Sequence, residues 1–332
     1  MSTKVVLLND TSTRYHHGCS RVIRLLRSGL EDRGATISAT VPARANWPED
    51  TAHLDQIRGA DIVVINGEGT LHHGVDHAER LLRIADHPVA KGKKLCLVNA
   101  LYDKNPESWR PYLERFDLLS ARDSESARQM SSDSGRSVGW VPDLSLSADA
   151  GIASGPRHGV VVGDSVRIER RRDLARSLSR FPEPAFIPTK TLRQRVWRMP
   201  IVGDVLKRGL FAAYCASLGP AQLRFELALT EADYLRRIGE AELHVTGRFH
   251  AVCLSILTET PFLAVDSVSG KIARLLRDLG LGQDRIVTGA DLMTVSPDPR
   301  DHAFLDQELV AIRRAREMAK AKAATLFDTI LA

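Results

Sequence analysis

Residues 242–271, ELHVTGRFHAVCLSILTETPFLAVDSVSGK, read as a strand, a helix, a second strand and the start of a second helix. The apolar run ending at residues 244–246 has the make-up of a buried strand, and Gly247 turns the chain into a helix that opens with Arg248 and His250. The next strand, residues 262–266, leads through Ser267, Ser269 and Gly270 to another helix with Lys271 at its N-terminus. Two helix N-termini, an arginine, a lysine and a histidine are thereby directed to one edge of a parallel sheet. Orphan N–H groups and positive dipole ends make such an edge a seat for phosphate or carboxylate, so chemistry on a small anionic donor is expected.

The same alternation runs outward in both directions. Before this stretch the strand-like runs are KVVLLN, ATISATV, DIVVIN, KLCLVNA, DLLSAR and a short VGWVPD, with helical spacing between them at Val22, Leu25, Leu26 and Leu30 and again at Leu81, Leu82 and Ala85. A small-residue stretch, SADAGIASGPR at 147–157, separates these from HGVVVGD, PAFIPTK, ELHVTG, PFLAVD and RIVTG. The pattern predicts an α/β protein of two Rossmann-like domains with parallel sheets, 1–150 and 151–332. A last helix from about 302 to 331, carrying Phe304, Leu305, Leu309 and Ile312, is expected to pack back across the first domain. Open sheets of this kind bind ligands at the carboxyl ends of their strands, which places the expected site in an interdomain cleft.

Composition narrows the class. The 332 residues are 43% hydrophobic, which fits an ordinary soluble protein and argues against a disordered chain. No apolar run approaches the roughly 20 residues of a membrane helix, and KVVLLND is too short for a signal peptide, so a cytoplasmic location is expected. Cys19, Cys96, Cys215 and Cys253 show no metal-ligand spacing and read as reduced thiols. The net charge of +5 is concentrated in two stretches. One of them, residues 190–211, mixes six cations with Trp197, Val205, Leu206 and Phe211, a composition suited to peripheral contact with an anionic membrane face. Neither aromatic platforms nor a reader motif point to nucleic acid.

Polar residues gather where the strands end. After the first strand come Asn9, Asp10, Thr11 and Ser12, then Tyr15, His16, His17, Gly18 and Cys19. The third ends in Asn66, Gly67, Glu68 and Gly69, the fourth in Asn99, the fifth in Arg122, Asp123 and Ser124, and the first strand of the second half in Gly163, Asp164 and Ser165. Two glycines around Glu68 suggest a carboxylate exposed to a ligand. The GEG turn lacks the third glycine of a dinucleotide fingerprint, which disfavours an oxidoreductase. Adjacent histidines point to opposite sides of an extended chain, so His16 and His17 are not expected to share a metal, and no metal site is assigned. A histidine beside Arg248 makes most sense when an anion joins the two.

These residues resemble the polysaccharide pyruvyl transferase family. The likeness rests on TGRFHA with the downstream SVSGK, on NGEGTLHH as a variant of a glycine-rich turn, and on SARDSES as an arginine-acid-x-x-serine motif. It implies a GT-B-like two-domain transferase that moves a pyruvyl group from phosphoenolpyruvate onto two sugar hydroxyls as a ketal, without metal or redox cofactor. It implies His250 as general acid, with Arg248, Lys271, Arg122, Ser269 and Gly247 at the donor. Glu68 is the first candidate for the base, and Asn9, Asp10, His16, His17 and Asn99 fall on the acceptor side, in the N-terminal domain. The acceptor is then a cell-surface polysaccharide glycan or its lipid-linked precursor, met at the inner face of the membrane. Two other readings share the fold or the cations: a glycosyltransferase using a nucleotide-activated sugar, and a non-catalytic glycan- or phosphate-binding module. The oligomeric state is not legible.

Overall fold

The computed structural model describes residues 2–151, 155–190, 225–265 and 270–332, with the single positions 206, 209 and 213. Two compact units divide the chain. The first holds residues 1–14, 20–148 and 317–332, and the second holds 15–19 and 149–316.

The first unit is built on a six-stranded parallel sheet of β1 (Lys4–Asp10), β2 (Thr36–Pro42), β3 (Ile62–His72), β4 (Lys94–Asp103), β5 (Leu118–Ala121) and β6 (Gly139–Trp140), in the order β2-β1-β3-β4-β5-β6. Its strands carry near-continuous apolar runs because both faces are covered. Val6, Leu8, Val63, Ile65 and Leu97 face one core with Trp47, Ile57, Leu81, Leu82 and Trp109. The alternate residues Val5, Leu7, Ile62, Val64, Cys96 and Val98 face the other. There they meet Val22, Leu26 and Leu30 of α1 (His17–Glu31) and Ala323, Leu326, Phe327 and Ile330 of the last helix, Asp306–Leu331. Arg21 is buried on α1 and donates to the Ser145 and Ala148 carbonyls at 2.7 and 2.6 Å, which fixes the end of this unit's middle segment.

The second unit carries a five-stranded parallel sheet of β7 (Val160–Ser165), β8 (Pro184–Phe186), β9 (Leu243–Gly247), β10 (Phe262–Val265) and β11 (Ile286–Val287), in the order β11-β10-β9-β7-β8. Its core joins Val160, Val162, Val245, Leu263 and Val265 to Leu174 and Leu178 of the helical segment that follows β7.

In both sheets the first strand lies between the second and third, so the winding direction reverses between β1 and β3 and between β7 and β9. A crevice opens at such a switch point, outside the carboxyl ends of the strands, and that is where open α/β sheets receive ligands. The fold thus marks two edges for attention, one in each unit.

Two expectations are revised. The last helix begins at Asp306, later than residue 302, because residues 299–302 form a 3-10 turn opened by Pro299. Phe304 leaves the helical pattern and packs on Phe262 at 5.9 Å, with the Arg285 guanidinium 4.3 Å from its ring centre. The stripe that is buried instead runs Ile312, Ala315, Ala319, Ala323, Leu326 and Ile330, whereas Leu305 and Val310 are exposed. Residues 15–19 group with the second unit, held there by a His17 N–H bond to the Thr189 carbonyl at 3.1 Å and a bridge between His16 and Lys190. The basic stretch 190–211 lies outside the described residues except at 190, 206 and 209, and Ser269 lies outside them too.

Candidate active site

At the switch point of the second sheet, β9 ends at Gly247 and Arg248 occupies the N-cap of the helix Phe249–Leu257. Ser165 of β7 lies opposite Gly247 in register. The Arg248 guanidinium closes on Asp164 through Nε, 3.0 Å from Oδ2, and through Nη2, while the other Asp164 oxygen accepts from the Thr189 N–H at 3.0 Å. Arg248 was expected to stand ready for a donor anion alone. It is instead half neutralised and pinned by a carboxylate 84 positions away, and its Nη1 edge has no partner among the described residues. Such pairing fixes the planar fork and keeps the remaining donors preorganised for a second anion.

His250 lies in the first turn of the same helix and is 6% exposed. His16 meets it edge to face at 5.3 Å, and the Cys19 sulfur lies close to both rings. Gly18 explains how the loop gets so near: a β-carbon there would fall 2.2 Å from His250 Cβ and 2.5 Å from Cγ. No residue but glycine fits. His17, on the other side of the loop, stacks on the Tyr234 ring at 4.8 Å, and the Tyr234 hydroxyl and the Thr189 hydroxyl are 3.0 Å apart. The sequence suggested an acceptor-side role for His16 and His17 in the N-terminal domain, but both belong to the second unit, where His16 packs on His250 and His17 on Tyr234.

These histidines are all buried. Burial drives the His16 imidazole well below its usual range, and the repulsion of His250, Arg248, His17 and Lys190 acts the same way. Burial likewise lowers His17 from 6.5 to about 4 and His244, whose Nδ1 meets the Ser255 hydroxyl at 2.7 Å, to about 3. Desolvation disfavours the imidazolium, so these rings stay neutral near pH 7. Lys271 opens the helix Lys271–Asp278 after β10, the strand next to β9. Its N-cap is Gly270, with φ of 58°.

The first unit's switch point holds a different set. Asn9, Glu68 and Asn99 lie on three adjacent strands and all take the left-handed backbone conformation, with φ of 63, 39 and 55°. Only Asn9 is near a strand end: β3 and β4 were expected to stop at residues 66–69 and at Asn99, but they pair on to His72 and Asp103. For non-glycine residues that conformation is strained, and all three side chains are buried. Asn9 Nδ2 donates to the Asn66 carbonyl at 2.6 Å and to Thr70 Oγ1 at 3.1 Å. Asn99 Nδ2 donates to Asn66 Oδ1, and Asn66 Nδ2 to Glu68 Oε2, both at 3.2 Å. The Thr11 hydroxyl donates to the same Glu68 oxygen. Glu68 was expected to be exposed by its glycines, but it is 3% exposed. Gly67 serves a different need: a β-carbon there would lie 2.6 Å from that of Ala100 on β4. Asp10 accepts from the Ser12 N–H at 2.9 Å and orders the turn after β1.

The SARDSES motif separates into two parts. Asp123 caps the helix Ser124–Ser134 by accepting from the Ser126 N–H at 2.7 Å and from the Ser126 hydroxyl at 2.9 Å, so the acid and the serine hold the helix start. Arg122 is buried against Asp143, with Nη1 3.5 Å from Oδ2. Its guanidinium reaches within 3.9 Å of where a β-carbon on Gly69 would be.

Comparison with known proteins gives the family and the fold. The family model for polysaccharide pyruvyl transferase matches residues 6–269, which include both switch points. The chain belongs to the polysaccharide pyruvyl transferase family. As a member of that family it is a transferase. None of the curated proteins matches it significantly. Among solved structures, a Listeria monocytogenes protein assigned as a UDP-N-acetylglucosamine 2-epimerase aligns with TM-score 0.60 at 11% identity over 98% of this chain and 94% of its own. The UDP-GlcNAc 2-epimerase of Neisseria meningitidis gives 0.51 at 11% over 100% and 99%, and MurG of Acinetobacter baumannii 0.52 at 13% over 99% of each chain. At such identity the likeness establishes the fold, two Rossmann-like units of the GT-B class, which this pyruvyl transferase family member shares.

Two outcomes follow. Replacing Gly18 with alanine must displace the His250 ring or the loop. Turnover is expected to fall by about 100-fold for a shift near 1 Å, with the circular dichroism spectrum unchanged; full activity would show that the contact is not needed. His17 and His244 titrate near 6.5 when unfolded but near 4 and 3 when folded. Between those values the unfolded chain binds more protons, so stability is fully present above about pH 6.5 and is lost as the pH falls. Denaturant melts of the second unit should lose on the order of 2–4 kcal/mol between pH 7 and pH 5, and His244→Gln should flatten that slope.

Proposed function

We propose that the protein transfers the pyruvyl group of phosphoenolpyruvate to two hydroxyls of a sugar, forming a cyclic ketal on a cell-surface polysaccharide or its lipid-linked precursor. The observation that carries this reading is the junction of His250 and Arg248 at the switch point of the second sheet, inside the segment that matches the family. An imidazole held beside a guanidinium at a helix N-terminus suits a donor with both a proton-accepting carbon and two acidic groups.

His250 delivers a proton to the methylene carbon of the enol ether, which becomes a methyl group. Positive charge develops at the adjacent carbon, and a sugar hydroxyl attacks it. The carbon–oxygen bond to phosphate breaks, and the second hydroxyl closes the ketal. Of the two hydroxyl protons, one restores the acid and the other leaves with the phosphate, so the transfer balances without redox chemistry.

The Nη1 edge of Arg248 and the amide groups opening Phe249–Leu257 hold the departing phosphate, while Lys271 supports the donor from the next helix. Asp164 acts as a positioning residue, since it touches Arg248 and no reacting atom. Within the first unit, the buried lattice of Asn9, Asn66, Glu68 and Asn99 is the proposed sugar-recognising set. Glu68 accepts from two neighbours through one oxygen, a fixed geometry suited to orienting a sugar hydroxyl.

The test is phosphate release from phosphoenolpyruvate in the presence of envelope glycans, set against nucleotide release from nucleotide sugars. Phosphate release that is lost by at least about 100-fold in His250→Asn, with donor affinity kept, is the expected result. Nucleotide release without phosphate release would overturn the proposal in favour of glycosyl transfer.

A further inference from the structure

His16, Cys19 and His250 bring two imidazoles and a thiol together in the second unit, with their ligand atoms all within 4.8 Å of one another. Each is at most 6% exposed. We propose that these three residues form a binding site for a borderline-soft divalent cation of the zinc class, and that its occupation silences the transferase by removing the His250 imidazole from proton transfer.

The donor set decides the class of ion. Imidazole nitrogen and thiolate sulfur suit zinc and its neighbours, and hard cations such as magnesium or calcium call for carboxylate and carbonyl oxygen. The nearby carboxylate, Asp164, is engaged by Arg248 and by the Thr189 N–H. Among the described residues, no other group of histidine, cysteine and acidic side chains gathers three ligand atoms this closely.

The site is built from two elements. His16 and Cys19 stand three positions apart at the start of α1, and His250 comes from the first turn of Phe249–Leu257. Gly18 between them permits the close approach. Bonds of about 2.0–2.3 Å in a tetrahedral shell would put the ligand atoms roughly 3.3–3.7 Å apart, so side-chain rotation closing the cluster by about 1 Å is enough. A ligand is also suggested by His16 Nδ1, a buried nitrogen with no hydrogen-bond partner among the described residues. Buried polar atoms are rarely left so, and metal coordination would satisfy it. On binding, the Cys19 thiol loses its proton to solvent as the sulfur–metal bond forms, with no change in oxidation state.

Metal binding stands on the cluster alone; only the inhibitory half rests on His250 as the acid. The full chain, stripped of metal by a chelator, is titrated with zinc against a chromophoric competitor, and cobalt serves as a spectroscopic stand-in. One equivalent should bind, with affinity lowered about 10-fold or more in Cys19→Ser and in His16→Asn. Cys253→Ser should bind as the parent does. Cobalt should give a near-ultraviolet thiolate charge-transfer band that Cys19→Ser lacks. Absence of stoichiometric binding, or equal affinity in both variants with unchanged thermal melts, would overturn the site. Turnover should fall as zinc binds and return on chelation; undiminished turnover with the site filled would overturn the inhibition. If the chain moves no pyruvyl group at all, the functional proposal fails while the titration still decides the metal site.

Discussion

The missing β-carbon at Gly18 governs the chemistry of the second unit. It lets a loop from residues 15–19 lie directly on His250, bury the ring and bring His16 and Cys19 beside it. The ion pair with Asp164 fixes the Arg248 guanidinium at the start of the same helix. In the proposed reaction the acid and the anion seat are one object, assembled from the ends of β7 and β9 and a loop from the start of the chain.

The first unit solves a different problem with the same architecture. Its switch point spends backbone strain at Asn9, Glu68 and Asn99 to turn amides and a carboxylate into one buried lattice. Rigid strands hold those positions, and both hydrophobic cores beneath them are dense with valine, leucine and isoleucine. Precise placement of polar groups on rigid elements is what a sugar-recognising surface needs.

Both sheets were legible in the sequence because continuous apolar runs alternating with helical spacing leave few other arrangements. Several strand ends were legible for the same reason, and Asn9, Arg122, Arg248 and His250 stand at or just beyond them, whereas Glu68 and Asn99 lie inside strands that run on to His72 and Asp103. What local pattern could not carry was partnership. Asp164 and Arg248 are 84 residues apart, and nothing near either one announces the other. Glu68 reads as exposed beside two glycines, yet one of them is demanded by Ala100 on the neighbouring strand. The 15–19 loop follows a strand of the first unit and still belongs to the second. Its only sequence signal was a glycine directly after two histidines. Asp123 and Ser126 carry a family-like motif but act as a helix cap, a case where stability and resemblance coincide.

Turnover in heavy water tests the central claim most directly, since it reports the proton that His250 is held to deliver. The account predicts that each pyruvyl group transferred carries one deuterium in its methyl group, and that a His250→Gln variant, folded and still binding phosphoenolpyruvate, forms no labelled ketal. A product with an unlabelled methyl group, or labelled ketal made by that variant at the parent rate, would contradict it.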